Sequence, residues 1–73
     1  MKLEKFISEL SKIFETKKID INQKITNHKN WDSLTSLSVL SLIDANFRKS
    51  KLNLTKIEKF KSIKSLYEYL SKK

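Results

Sequence analysis

The 73-residue chain is strongly basic, with 16 Lys and Arg against 8 Asp and Glu and a formal net charge of +8. It contains no Cys, Gly or Pro, which excludes a disulfide framework, a Cys-based metal site and the glycine-rich phosphate loops of nucleotide-binding folds. A chain of this length forms a single domain, residues 1–73, with one small core.

An amphipathic helix is predicted over residues 2–15. Its apolar residues recur at spacings of three and four, which places them on one face: Leu3, Phe6, Ile7, Leu10, Ile13 and Phe14. On the other face, Glu9 and Lys12 are spaced to form an ion pair. We interpret the apolar stripe as core-facing, because a helix lying on a membrane surface would carry fewer acids on its polar face.

Residues 16–30 show no helical periodicity and predict an unusually long loop. Three isoleucines are expected to hold it to the core: Ile19, Ile21 and Ile25. His28 is interpreted as a surface-loop residue, because no Cys or second His accompanies it to form a metal site. Since glycine is absent, asparagine is expected at turns with positive φ. The candidates are Asn22, Asn27, Asn30, Asn46 and Asn53.

A second helix of different character is predicted over residues 33–47. From residue 31 to residue 47 the only charges are Asp32 and Asp44, so this segment contributes −2 and the rest of the chain +10. Asp32 or Ser33 is expected to cap the helix, since both residue types accept hydrogen bonds from free backbone N–H groups. The Ser33 hydroxyl then lies at the positive end of the helix dipole, where an esterified anionic group is stabilised.

The apolar face of this second helix is broad. On a helical wheel with about 100° per residue, five apolar residues besides Leu37 spread over an arc of about 160°: Leu40, Phe47, Ile43, Val39 and Leu42. Such an arc predicts that this helix is central in the fold. Opposite it, Ser38 and Ser41 form a narrow polar strip that includes Leu34 and Ala45. Leu34 is therefore predicted to be exposed, directly after Ser33, as a candidate docking contact.

After the second helix, the sequence predicts a connector and a short helix. The basic residues 48–51 suit a helix C-terminus, and Leu52 and Leu54 alternate with Asn53 as in a brief extended piece. Thr55 and Glu58 fit a capping box. That box is expected to start a short helix containing Ile57 and Phe60.

A last helix is predicted to follow the cap residue Ser62. Its inner face is expected to carry four residues: Ile63, Leu66, Tyr67 and Leu70. The fold is therefore predicted to be all-α, a small four-helix bundle of three main helices and one short helix with a long first loop. No stretch approaches the roughly 20 apolar residues of a membrane span, and the N-terminus lacks the apolar core of a signal peptide, so a cytoplasmic location is expected.

The motif Asp32-Ser33-Leu34 is followed by an apolar helix. Later in the chain, residues 60–70 have the sequence Phe-x-Ser-Ile-x-x-Leu-x-x-Tyr-Leu. In this combination the chain resembles an acyl carrier protein over essentially its whole length. In that family the serine of the motif carries a 4′-phosphopantetheine, and acyl groups are held as thioesters on its thiol. The matching residue is Ser33, with Asp32 and Leu34 completing the motif.

The resemblance also implies partners and contact residues. The partners are a phosphopantetheinyl transferase and enzymes that load and transfer acyl or aminoacyl groups, in fatty acid or specialised biosynthesis. The partner-facing residues it implies are Leu34, Thr35, Ser38, Ser41, Asp44 and Ala45. The resemblance also implies that six residues, expected in the core, contact an acyl chain: Leu37, Leu40, Phe47, Ile57, Phe60 and Ile63. Members of the family are typically acidic, whereas Asp44 is the only acid on this face.

No catalytic set is expected, because the single His lacks a nucleophile and an orienting partner and no paired carboxylates are apparent. The chain is therefore predicted not to be an enzyme. The alternative function is a small basic helical adaptor or nucleic-acid-binding domain. Nucleic acid is the less favoured partner, because the lysines are scattered, Arg48 is the only arginine and the second helix carries no Lys or Arg.

Overall fold

The computed structural model describes residues 1–47 and 52–72, and over these residues the chain is all-helical. The four α-helices are α1 (Leu3–Ile13), α2 (Ser33–Asn46), α3 (Leu54–Ile57) and α4 (Ile63–Ser71), and a single 3₁₀ turn spans Ile25–Asn27. Three main helices and one short helix pack into a compact bundle with a Cα radius of gyration of 10.9 Å. The predicted fold class is therefore confirmed, and the two long helices predicted over residues 2–15 and 33–47 match α1 and α2 to within two residues.

One apolar core joins all four helices. Its buried members are Phe6, Leu10, Phe14, Ile25, Val39, Ile43, Phe47, Ile57, Ile63, Leu66 and Leu70. The helices α1 and α2 run antiparallel, since Phe6 near the start of α1 meets Phe47 after the end of α2, with ring centroids 6.0 Å apart. At the other end of α1, Ile13 shares a surface groove with Leu37 of α2.

Helix α1 ends in a Schellman motif built without glycine. The N–H of Thr16 donates to the carbonyl of Ser11 at 3.0 Å, and the N–H of Glu15 donates to the carbonyl of Lys12 at 3.3 Å. Glu15 has a φ of 52°, in the left-handed region that glycine usually occupies. The expectation that asparagine supplies positive φ is wrong for the described residues, because Glu15 takes that role and none of the five asparagines does.

The start of α3 differs from its prediction. Asn53 is the N-cap, and its side chain accepts a hydrogen bond from the N–H of Lys56 at 2.9 Å. The predicted capping box of Thr55 and Glu58 is wrong, because Leu54 is already helical and Thr55 lies inside the first turn. The extended piece therefore stops at Asn53. The basic connector predicted at residues 48–51 lies outside the described residues.

Helix α4 begins as predicted at Ser62, which forms a reciprocal capping box with Ser65. The N–H groups of Ile63 and Lys64 donate to carbonyls of the long first loop, on Gln23 and Ile21, both at 2.9 Å. Ile25 is buried in the core, while Ile19 and Ile21 are half-buried against it. The predicted anchoring of this loop by its isoleucines is thus confirmed.

The chain start is tied to α4. The Tyr67 hydroxyl donates to the carbonyl of Met1 at 2.6 Å, and the Tyr67 ring packs against Phe6 with centroids 5.6 Å apart. The middle of α4 therefore lies against the beginning of α1.

Candidate functional site

A reciprocal capping box opens α2. The N–H of Thr35 donates to Asp32 Oδ1 at 2.8 Å, and the N–H of Asp32 donates to Thr35 Oγ1 at 2.8 Å. Of the two predicted cap residues, Asp32 is therefore the N-cap. The hydrogen bond from the Thr35 backbone lowers the pKa of the Asp32 carboxyl below its ordinary value, because it stabilises the ionised form.

The residues before this cap are fixed by a chain of polar contacts. The Thr35 hydroxyl donates to the carbonyl of Asn30 at 3.0 Å, and Asn30 Nδ2 donates to the carbonyl of Phe14 at 2.6 Å. The N–H of Asn30 donates to His28 Nδ1 at 3.0 Å. The end of α1 is thereby tied to the start of α2, which holds the motif residues in a defined position.

The His28 ring stacks on Phe14, with centroids 4.4 Å apart and an interplanar angle of 11°. Trp31 packs against the same Phe14 at 6.2 Å. His28 is half-buried, so the interpretation of His28 as a simple surface-loop residue is wrong. The sequence offered one signal that was missed, namely that two aromatic residues, His28 and Trp31, lie three apart directly before a helix cap.

Ser33 is exposed and is the first residue of α2. Its carbonyl accepts a hydrogen bond from Ser36 Oγ at 3.0 Å. Among the hydrogen bonds of residues 1–47 and 52–72, none uses the Ser33 hydroxyl, because Asp32 and Thr35 already satisfy the cap. The hydroxyl is therefore open to solvent beside the first turn of a helix.

The exposed face of α2 is largely as predicted. Leu34 is 75% exposed, and the other exposed residues of the predicted partner-facing set are Ser38, Ser41, Asp44 and Ala45. Thr35 is the exception, because it is half-buried and its hydroxyl is engaged by Asp32 and Asn30. The face carries a single charge, on Asp44, and no Lys or Arg.

The residues predicted to pack in the core and contact an acyl chain divide into three groups. Phe47, Ile57 and Ile63 are buried, whereas Leu40 and Phe60 are half-buried against the core. Leu37 is 58% exposed, so its placement in the core is wrong.

The position of Leu37 follows from where the buried face of α2 is centred. That face is formed by Ser36, Val39, Ile43 and Phe47, and on a helical wheel its centre lies roughly 120° from Leu37. Ser36, which the sequence analysis did not assign to the core, is only 4% exposed. On the helical wheel Ser36 lies inside the apolar arc, and this position was the signal that a small polar residue packs against the core.

Two grooves lie on the surface between α1 and α2 in the described part of the chain. The first, of about 470 Å³, lies beside the cap and is lined by Ile13, Trp31 and Leu34 among others. The second, of about 460 Å³, runs further along α2, where Leu37, Ser41 and Leu42 face Glu9, Lys12 and Ile13 of α1. Ile13 and Ser38 line both grooves, so the two adjoin.

The arrangement is compatible with an attached phosphopantetheine. A phosphodiester on Ser33 needs a hydroxyl that is accessible and not required by the fold, and Ser33 meets both conditions.

Within the described part of the chain, no group of three or more His, Cys, Asp or Glu side chains is placed to hold a metal ion. No helix there is long and apolar enough to span a bilayer.

Comparison of the chain with protein-family models, with curated proteins and with solved structures returned no match.

Proposed function

We propose that the protein is a carrier that holds acyl or aminoacyl groups as thioesters on a 4′-phosphopantetheine arm attached to Ser33. The observation that supports this most strongly is the exposed Ser33 hydroxyl, which the Asp32–Thr35 capping box leaves unused at the start of α2. The four-helix bundle agrees with the fold that the Asp-Ser-Leu resemblance implies. Because the chain has no Cys, the arm would supply the thiol that carries the cargo.

The residues around Ser33 have roles that suit a carrier. The free end of the α2 dipole stabilises a phosphodiester on the first helical residue. Asp32 fixes where the helix begins, since its side chain holds the N–H of Thr35. Asn30 and His28 fix the loop that leads to it. The attachment point is therefore rigid, which allows partner enzymes to find the arm at a defined position.

The proposed partners are a phosphopantetheinyl transferase, which attaches the arm, and enzymes that load and remove the acyl or aminoacyl group. The carrier itself performs no catalysis in this scheme, and it acts as a monomer in the cytoplasm. Its exposed α2 face carries only the charge of Asp44, which suits dedicated partners that dock through apolar contacts. Nucleic acid is not the proposed ligand, because the exposed face of α2 beside Ser33 has no Lys or Arg to contact phosphates.

Intact-mass spectrometry after co-expression with a phosphopantetheinyl transferase tests the proposal. The wild type should gain about 340 Da, the mass of the arm added through one phosphodiester, whereas Ser33→Ala should gain nothing. Ser8→Ala, which alters an exposed serine of α1 outside the partner-facing set, is the matched control and should be modified as fully as the wild type. An unmodified wild type in the presence of an active transferase would remove the carrier function.

A further inference from the structure

We propose that an acyl group carried on Ser33 rests in the surface groove between α1 and α2, against Leu37, Leu42 and Ile13, and not in the interior of the bundle. This inference rests on the proposed carrier function. It names the place where the cargo lies when no partner enzyme holds it.

The interior of the bundle is closed around its centre. Val39, Ile43, Ile57, Ile63 and Leu66 are fully buried in one continuous cluster. Protein interiors are packed as densely as organic crystals, so an inserted chain would have to push such side chains apart. Entry into the core is therefore unfavourable for a chain that has an alternative apolar surface nearby.

That alternative surface starts one helical turn from the attachment point. Ser33 and Leu37 are four residues apart on α2, so their side chains lie on the same face, about 6 Å apart along the axis. Leu37 is 58% exposed, an uncovered leucine where the sequence predicts core. Leu37 also forms one wall of the groove that has Leu42 beside it and Ile13 across from it.

The charges around this groove suit an uncharged chain. Its α2 wall contains two leucines and two serines, Leu37, Ser38, Ser41 and Leu42, and no ionisable side chain. On the α1 wall, Lys12 Nζ and Glu9 Oε2 form an ion pair at 3.1 Å, so the two charges compensate each other. In a chain of net charge +8, this groove near the candidate serine has no net charge and offers three apolar side chains, which suits an uncharged acyl group.

Because the acyl group is attached covalently to the protein, a shallow groove is sufficient to hold it. A group tethered to Ser33 experiences an effective concentration near the groove on the order of millimolar, so weak apolar contact is enough to hold it. Covering the exposed part of Leu37 provides that contact. A surface position also leaves the cargo accessible, because a partner enzyme that docks on α2 can lift it without opening the core.

Methyl NMR of the loaded protein tests the inference. A transferase attaches acetyl- or octanoyl-phosphopantetheine from the corresponding acyl-coenzyme A to the protein labelled at Ile and Leu methyl groups, and intact mass confirms loading. The octanoyl form should shift the resonances of Ile13, Leu37 and Leu42 relative to the acetyl form. The resonances of the core residues Ile63 and Leu66 should stay unchanged.

A pair of variants adds a second readout. Leu37→Ser removes the groove wall, while Leu54→Ser alters another exposed leucine, 37% exposed on α3, as the matched control. Cleavage of the octanoyl thioester by hydroxylamine should be about fivefold faster in Leu37→Ser, as expected from losing roughly half of a leucine's burial. It should be unchanged in Leu54→Ser.

The outcomes separate the two proposals. If the protein gains no mass on loading, both the carrier function and the groove inference are overturned. If it gains mass but the octanoyl chain shifts Ile63 and Leu66, the carrier function stands and the groove inference is overturned. Identical spectra for the acetyl and octanoyl forms, or equal cleavage rates in the wild type and Leu37→Ser, would also overturn the groove inference alone.

Discussion

Asp32 and Thr35 each bind the other's backbone N–H across the first turn of α2, through two hydrogen bonds of 2.8 Å. Because this pair satisfies the cap, Ser33 between them keeps a free hydroxyl in the described structure. The Thr35 hydroxyl also donates to the carbonyl of Asn30, which couples the cap to the preceding loop. The relationship explains how a helix start is held firmly while its first serine remains accessible.

The Asp32 cap predicts a pH dependence of stability. Its pKa is lowered in the folded state, chiefly by the hydrogen bond from the Thr35 backbone. The stabilisation is therefore present above the unfolded pKa and is lost as the pH falls through the folded pKa. We expect the urea midpoint of the wild type to fall as the pH drops below about 5, and to fall less steeply in Asp32→Asn, whose amide still caps but does not ionise. The same acid dependence in both proteins would contradict this account.

Glu15 occupies the left-handed region that suits glycine, with a φ of 52°. Such a conformation is unfavourable for a residue with a Cβ atom, so Glu15→Gly should stabilise the fold by about 0.5–1 kcal/mol. The control is Glu4→Gly in the first turn of α1, where glycine should destabilise by up to about 1 kcal/mol. Urea unfolding measures both changes. A destabilised Glu15→Gly would show that the Glu15 side chain does more than occupy this turn.

Two residues of α2 should differ sharply when truncated. Ile43 is fully buried, so Ile43→Ala should cost about 2–5 kcal/mol. Leu37→Ala should cost less than about 0.5 kcal/mol, because Leu37 lies on the surface away from the core. Urea denaturation of both variants tests the placement of the helix face. Comparable losses of stability would show that α2 is rotated relative to the structure.

The bond from the Tyr67 hydroxyl to the carbonyl of Met1, at 2.6 Å, should contribute to stability. Tyr67→Phe removes it and should cost about 1 kcal/mol. Tyr69→Phe is the matched control, because Tyr69 is an exposed tyrosine on the same helix, and it should have little effect. A thermal unfolding experiment compares them, and equal melting temperatures for the two variants would show that the tie to Met1 is not stabilising.

Most of the fold was predictable from the sequence because its signals were local and repeated. The three- and four-residue spacing identified α1 and the inner face of α4, and Ser62 marked the start of α4. At the candidate site, the exposure of Leu34 and the accessible position of Ser33 followed from the cap residues and the helical wheel. Each of these features depends on neighbours within one or two helical turns.

The remaining features depended on contacts between distant segments. The prediction for Leu37 was wrong because the apolar arc of α2 is wider than the face that the other helices cover. The helical wheel alone does not show where that covered face is centred. The stacking of His28 on Phe14 joins residues from α1 and the long loop, which no periodicity reveals. At α3, Asn53 and Thr55 are both capable caps, and in the structure the Asn53 side chain accepts the capping bond, from the N–H of Lys56.

The central claim, that Ser33 carries the arm, is tested most directly by mapping the modified residue. Purified protein is incubated with coenzyme A and a phosphopantetheinyl transferase, digested, and its peptides are fragmented in a mass spectrometer. The account predicts that the added mass, about 340 Da for one phosphopantetheine, lies on Ser33 alone. Fragments that place the mass on Ser36, Ser38 or Ser41, or a digest that contains only unmodified Ser33, would contradict it.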